Sequence, residues 1–223
     1  MKRFLVLLSV LTFGNVQQIS EAKESLVKEY AFQEYGGQFN LDRSLVNYVN
    51  EITENIATVV DPNRSYSSII LNDMEPDAWI LSDGTLGLTR GLLELLDEEK
   101  ELAALVSQQL QLAKTFLSKE PALFSTEAVS LRRYKGGGYA LGQANKTLNF
   151  IVRQEFSITE MIIADRWAQD AIAQIGYQPD AFVTLLEKLS KIPKGNGLVK
   201  RQPWSDERLH KVKENVARLE NRM

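Results

Sequence analysis

The stretch DEEKELAALVSQQLQLA, residues 97–113, decides the fold class. Its apolar residues recur every three or four positions, as they do along the buried face of an α-helix. Leu105, Gln108 and Leu112 fall on that face, so the amide of Gln108 points towards the core. Asp97 precedes the run and can serve as its N-cap. The stretch therefore predicts a helix that carries a polar side chain into the protein.

A second apolar segment, residues 156–175, also predicts a buried helix, because it is apolar almost all round. Helical spacing puts Glu160 on one face with Ile163 and Trp167, and Asp165 also lies within the segment. A buried ionised carboxylate is costly unless it is paired or binds a metal, so Glu160 requires a partner. Two interpretations stay open: a satisfied polar contact in a helical core, or a residue of a present or former active site.

The remaining segments predict further helices and a small sheet. Tyr66–Leu71, Ala78–Leu81 and Thr85–Thr89 are short runs typical of strands, and Asp83-Gly84 is a hairpin signal. Amphipathic or capped segments predict helices over residues 41–60, 181–191 and 206–221, with Asp180 and Ser205 as N-caps of the last two. We therefore expect an α+β protein that is mostly helical, with a small β-sheet.

Composition limits what this chain can do. It has 223 residues, of which 44% are hydrophobic, and a formal net charge of −3. That balance provides no global basic field, so we expect no nucleic-acid partner. Cysteine is absent, which excludes disulfides, thiolate metal sites and cysteine nucleophiles. His210 is the only histidine, so no site that needs two imidazoles can form within one chain.

The N-terminus has the layout of a secretory signal peptide. A positive start, Met1 to Arg3, precedes the apolar run Phe4 to Phe13, and Ser20 and Ala22 supply small residues for cleavage before Lys23. The run is too short to span a bilayer, which takes about 20 residues. We expect residues 1–22 to be removed and residues 23–223 to form a single domain. The mature chain, without a transmembrane helix, is expected to be exported to the periplasm.

Several segments resemble the zinc metallopeptidases of the HtpX-like family, which also contains the CAAX prenyl endopeptidase and the periplasmic β-barrel assembly-enhancing protease. DAWILSDG at residues 77–84 is similar to the family's Asn-Ala-x-Ala-x-Pro-x-Gly, and TRGLL at 89–93 to its Thr-x-Gly-Leu-Leu. EMIIAD at 160–165 is similar to the family's carboxylate motif, and GYQP at 176–179 to its Gly-Tyr-Asp-Pro. The matches span about residues 40–215 and imply a gluzincin-like metallopeptidase domain.

The same resemblance shows what this chain lacks. Residues 97–113 are similar to the helix that carries His-Glu-x-x-His in the family, but Gln108 stands at the first zinc-binding histidine. Gln109 stands at the catalytic glutamate and Leu112 at the second histidine. Only Glu160 remains from the ligand set, with Asp165 expected to support it. The resemblance implies zinc for the family, but with these ligands lost we expect no metal, cofactor or catalytic residue here.

Elementary chemistry agrees with that expectation. A neutral glutamine cannot accept a proton from a metal-bound water, and leucine cannot bind a metal. We predict that the Gln108 amide donates a hydrogen bond to Glu160, while Leu112 fills the volume of the lost imidazole. His210 lies in a charged segment and is expected to be solvated, and Ser107 lacks an evident base.

Three functions remain in competition. The leading one is a catalytically silent peptidase-like protein that binds polypeptides in the remnant groove, as a chaperone, adaptor or regulator in the cell envelope. Strand addition needs no zinc, and the expected edge is Tyr66–Leu71 or the strand made of Thr85, Leu86, Gly87, Leu88 and Thr89. The alternatives are a zinc-dependent metalloendopeptidase with an atypical ligand set, and a purely structural or oligomerising module.

Overall fold

Helices pack around a small mixed sheet in a computed structural model, which describes residues 32, 35–81, 84–116, 155–193 and 197–221. The elements in chain order are α1 (Arg43–Val60), β1 (Ser67–Leu71), β2 (Ala78–Ile80), β3 (Thr85–Thr89), α2 (Arg90–Leu93), α3 (Glu99–Phe116), α4 (Ile158–Gln174), α5 (Ala181–Leu189), α6 (Gly197–Arg201) and α7 (Asp206–Glu220). The predicted α+β class is confirmed. The predicted signal peptide, residues 1–22, lies outside the described residues.

The core is built around α3. Every residue of this helix from Glu101 to Ala113 is buried, and α3 packs against α1, α4 and α5. The apolar face of α1 supplies Val49, Ile56 and Val60 to the same core. The apolar periodicity of α1 therefore matches its buried face, whereas α3 is buried on every side from Glu101 to Ala113. Among the described helices, none combines the length and the apolar character needed to cross a bilayer.

The sheet has the strand order β1-β3-β2. β1 runs parallel to β3, with Ser67 opposite Thr85, and β2 runs antiparallel to β3, with Ala78 opposite Leu88. The predicted hairpin between β2 and β3 is thus confirmed, and Gly84 at its end has a φ of 91°, which favours glycine. The prediction that Thr85–Thr89 is an edge strand is wrong, because β3 is central and both its sides are already paired.

The outer side of β1 is an edge, but the protein covers it. The side chain of Asn50 on α1 accepts a hydrogen bond from the Ser68 backbone N–H at 2.8 Å and donates to the Ser68 carbonyl at 3.1 Å. Farther along, the Phe39 N–H donates to the Ile70 carbonyl at 2.7 Å, and the Asn72 N–H donates to the Gly37 carbonyl at 2.9 Å. An added strand would have to displace these contacts.

Trp79 covers β3 on the other face of the sheet. Its indole lies where a Cβ at Gly87 would be, since such an atom would come within 2.4 Å of the ring. The ring of Tyr35 packs beside it, with ring centroids 6.1 Å apart. Because residue 87 has no side chain, the indole of Trp79 on β2 can lie across β3.

The helix ends agree with the sequence at some positions and differ at others. Ser205 caps α7, because its Oγ accepts from the Arg208 N–H at 3.0 Å, and Gly176 follows α4 with a φ of 91°. The predicted capping role of Asp180 is wrong, since its side chain makes no cap hydrogen bond to α5. It lies instead 3.5 Å from the ammonium of Lys100. The short helix α6 had no sequence prediction.

Candidate functional site

The predicted site residues lie where α3 and α4 pack together. Gln108 and Gln109 are 0% and 1% exposed, and Leu112 is 0% exposed. These side chains belong to the helix at the centre of the core, so none of them lines an open cleft. These buried side chains therefore contact other groups of the protein rather than solvent.

The amide of Gln108 is hydrogen-bonded on both sides. Its Nε2 donates to Asp165 Oδ1 on α4 at 2.6 Å, and its Oε1 accepts from Gln109 Nε2 at 3.4 Å. The predicted donation to Glu160 is therefore wrong, although α4 does supply a carboxylate acceptor. Ser107, for which the sequence offers no evident base, donates its hydroxyl to the Ala168 carbonyl at 3.1 Å and is fully buried.

Asp165 also forms a buried ion pair with Arg208 on α7. Arg208 Nε donates to Asp165 Oδ2 at 2.5 Å, and Arg208 Nη2 donates to Asp165 Oδ1 at 2.9 Å. Both side chains are 1% exposed. A bidentate pair of this kind satisfies the carboxylate and fixes its orientation. The guanidinium of Arg208 balances the charge of Asp165, so Asp165 and Gln108 together form a closed polar contact.

Glu160 lies on another side of α4 from the one predicted. Its Oε2 accepts from the backbone N–H and the hydroxyl of Ser157, both at 2.8 Å, while the Glu160 N–H donates to Ser157 Oγ at 3.2 Å. This reciprocal arrangement is a capping box. Its sequence signature, Ser-x-x-Glu at residues 157–160, was present and outweighs the apolar periodicity, because the first turn of a helix needs partners for its free N–H groups.

Met161, which sequence reasoning missed, occupies the position facing α3. Leu112, Met161 and Ala164 form one buried apolar cluster, and Phe156 packs against it. Met161 follows Glu160 directly, so it lies about 100° farther round the helix. A one-residue error in helical phase thus exchanges a carboxylate for a thioether at the contact. Leu112 is fully buried in this cluster.

The residues at this helix contact do not fit zinc. Zinc sites in proteins use imidazole, thiolate and carboxylate donors in a tetrahedron. Here Gln108 is a hydrogen-bonded amide, and Leu112 and Met161 are packed apolar side chains. His210 lies on α7 with its side chain 69% exposed and its Nε2 3.1 Å from Glu214 Oε1. Within the described residues, no three His, Cys, Asp or Glu side chains converge as a metal-binding group.

The outer side of β2 is the other edge of the sheet, and an arginine covers its start. Arg201 Nη2 donates to the carboxylate of Asp77 and to the Ala78 carbonyl, the latter at 3.3 Å. Burial lowers the pKa of Arg201. Tyr35 donates its hydroxyl to Asp77 Oδ2 at 2.7 Å, and Phe156 donates its N–H to the Arg201 carbonyl at 2.8 Å. These contacts hold the chain around α6 against β2.

An apolar cavity of about 630 Å³ lies beside this edge. Its lining residues are Met74, Glu75, Pro76, Leu95, Lys188, Lys191, Ile192 and Pro193. Met74 is 54% exposed, so the cavity can be reached from solvent. Its volume falls within the range of about 300–1,000 Å³ that is usual for ligand pockets. The cavity is therefore large enough to accept a side chain of a binding partner.

The charge of one cavity lysine is already balanced. Lys188 Nζ lies 2.7 Å from Asp97 Oδ2 and 2.6 Å from Glu101 Oε2. Burial alone would lower the pKa of Lys188, but the hydrogen bonds to the two carboxylates outweigh that effect and raise it. Lys188 thus links α5 to the start of α3 through two ion pairs.

Comparison with known proteins assigns no family. No protein-family model matches the chain, and no curated protein matches it either. The resemblance to the HtpX-like peptidases is therefore carried by the quoted motifs alone.

Proposed function

We propose that this chain is an exported protein on a gluzincin-like metallopeptidase scaffold that has lost hydrolysis and binds polypeptides in the cell envelope. The observation that carries the proposal is the closed contact between α3 and α4. Gln108 and Leu112 stand at the positions of the family's two histidines, and they are buried against Asp165 and Met161 of α4. Glu160, at the third ligand position, caps the start of α4 instead. A scaffold kept without its chemistry is expected to serve by binding.

Loss of hydrolysis follows from the chemistry of Gln109 and its neighbours. Peptide hydrolysis at a zinc site requires an activated water and a general base. Gln109 is a neutral amide that is 1% exposed, so it neither accepts a proton nor meets a substrate. Zinc is the family's cofactor by resemblance, and the proposal is that this chain works without it.

The polypeptide is proposed to bind at the apolar cavity rather than along a strand. The edge of β1 is covered through Asn50, and the start of β2 through Arg201. The cavity, in contrast, presents Met74, Leu95 and Pro193 beside the start of β2. A flexible methionine suits a surface that accepts different apolar side chains.

Two measurements on the purified exported protein test this function. The first combines zinc content by atomic absorption with casein cleavage; we expect neither stoichiometric zinc nor turnover. The second measures fluorescence anisotropy of labelled, reduced and carboxymethylated α-lactalbumin as an unfolded polypeptide. We expect saturable binding that the Met74→Glu variant weakens, because a charge in an apolar cavity disfavours apolar side chains.

Leu41→Glu is the matched control, since Leu41 is an apolar side chain that is 91% exposed and does not line the cavity. Equal loss in both variants, or no binding by the unaltered protein, would contradict the proposal. Stoichiometric zinc together with chelator-sensitive cleavage would support the zinc endopeptidase alternative instead.

An oligomerising module is the second candidate, and the exposed apolar pair on α4 favours it. Ile163 and Trp167 are 37% and 47% exposed and lie one helical turn apart. Sedimentation velocity distinguishes this candidate: a concentration-dependent dimer that Trp167→Glu dissociates would support it, and a monomer at every concentration would exclude it.

A further inference from the structure

We infer that the cavity beside β2 takes an apolar side chain that has a carboxylate close to it in the same polypeptide. This inference rests on the proposed function and names the class of segment that is bound. It begins from the contrast between the apolar lining of the cavity and the positive charge at its mouth. Met74, Pro76, Leu95 and Ile192 provide the apolar contacts.

Lys191 supplies the positive charge. Its side chain is exposed, it lines the cavity, and no ion pair engages it among the described residues. Lys188, on the same wall, is neutralised by Asp97 and Glu101. The two lysines therefore differ in role: Lys188 is structural, whereas the ammonium of Lys191 is available to an incoming anion.

One wall of the cavity, which carries Lys188 and Lys191, belongs to a basic segment of an acidic protein. From Lys188 to Trp204 the chain contains lysine and arginine but no aspartate or glutamate, although the whole chain has a net charge of −3. Glu75 is an acidic residue of the lining, and it already takes part in another interaction. Complementary charge at the rim of an apolar site selects partners and speeds their encounter.

Two labelled peptides test the inference. Both contain the same pair of leucines between Gly-Ser spacers, and they differ only in carrying two Glu or two Lys residues after the leucines. We expect the Glu peptide to bind more tightly by fluorescence anisotropy, with the difference shrinking as salt screens the charges. Lys191→Glu should weaken binding of the Glu peptide by about two- to fivefold, the scale of exposed charge pairs.

Arg43→Glu is the control, because it changes the net charge equally at an exposed residue outside the cavity. Since no ion pair engages Lys191 within the described part of the chain, thermal melts should confirm that both variants remain folded. Equal binding of the two peptides, still weakened by Met74→Glu, would overturn this inference and leave the proposed function standing. Absence of any peptide or α-lactalbumin binding would overturn both. Binding to vesicles containing phosphatidylglycerol in preference to the Glu peptide would assign the surface to anionic lipid and overturn the inference.

Discussion

At the scale of single residues, Asp165 is the side chain on which the helix contact depends most. It accepts from Gln108 and from Arg208, and it is 1% exposed. Removing one member of a buried ion pair leaves the other charge without compensation, which costs more than the pair contributes over an apolar replacement. Removing Asp165 alone should therefore destabilise the protein more than replacing Asp165 and Arg208 together by apolar residues.

Asp165→Ala should lower the free energy of unfolding by about 3–5 kcal/mol, because it strands the guanidinium of Arg208 in the core. Urea denaturation followed by circular dichroism measures this loss. The control on the same helix is Asp170→Ala, whose partly exposed pair with Arg218 should cost about 1 kcal/mol or less. Adding Arg208→Leu to Asp165→Ala should recover part of the loss. Equal losses at Asp165 and Asp170 would contradict the buried pair.

The carboxylate of Glu99 accepts hydrogen bonds from two tyrosines, and this contact should make the stability of the protein depend on pH. Tyr177 and Tyr48 donate to its carboxylate at 2.6 and 2.7 Å, and these hydrogen bonds lower the pKa of Glu99. The stabilisation from a lowered carboxyl pKa is present above the usual value and is lost as the pH falls through the lowered one. Burial first, and then Glu99, raises the pKa of Tyr48 from 10.0 to about 12.

Tyrosinate absorbance should therefore show Tyr48 ionising near pH 12 rather than 10. The stability it contributes is present below its usual pKa and is lost as the pH rises through the raised value. Subtracting the titration of Tyr48→Phe assigns the signal. Glu99→Gln should lower the Tyr48 pKa only part of the way, because burial remains. A titration unchanged by Glu99→Gln would show that the carboxylate has no effect.

At the scale of elements, the hairpin of β2 and β3 depends on the glycine at position 87. Gly87→Ala would put a Cβ within 2.4 Å of the Trp79 indole. Overpacking of this kind should destabilise the protein by about 1–3 kcal/mol, measured by chemical denaturation. In the Trp79→Leu background the added methyl should cost less, because the ring it meets is gone. An equal cost in both backgrounds would mean that the ring does not impose the glycine.

The elements also show where sequence reasoning succeeds and where it stops. Long segments such as α1 and α3 were predicted because apolar residues recur along each at helical spacing, although α3 is buried on every side from Glu101 to Ala113. Strand order was not predictable from local pattern, so the central position of β3 was missed. The phase of α4 was misjudged at Glu160 because a cap and a core position look alike in a composition-based pattern. The partner of Asp165 comes from α7, 43 residues farther along the chain.

At the scale of the whole molecule, export remains a prediction with a direct measurement. Expression of the complete sequence in a Gram-negative host should yield periplasmic protein that begins at Lys23, which mass spectrometry of the intact chain would reveal. A chain that keeps its first 22 residues would contradict cleavage. A Phe4→Arg variant should block export, because it interrupts the apolar run.

The cover that Asn50 gives to β1 bears on behaviour at high concentration. Exposed strand edges are templates on which copies of a protein assemble into fibrils. The side chain of Asn50 forms hydrogen bonds with the backbone N–H and carbonyl of Ser68, which face away from β3. A neighbouring chain would use the same two groups in a cross-β stack. The Asn50 side chain thus protects this edge of the sheet from self-templated growth, which becomes faster as the concentration of the protein rises.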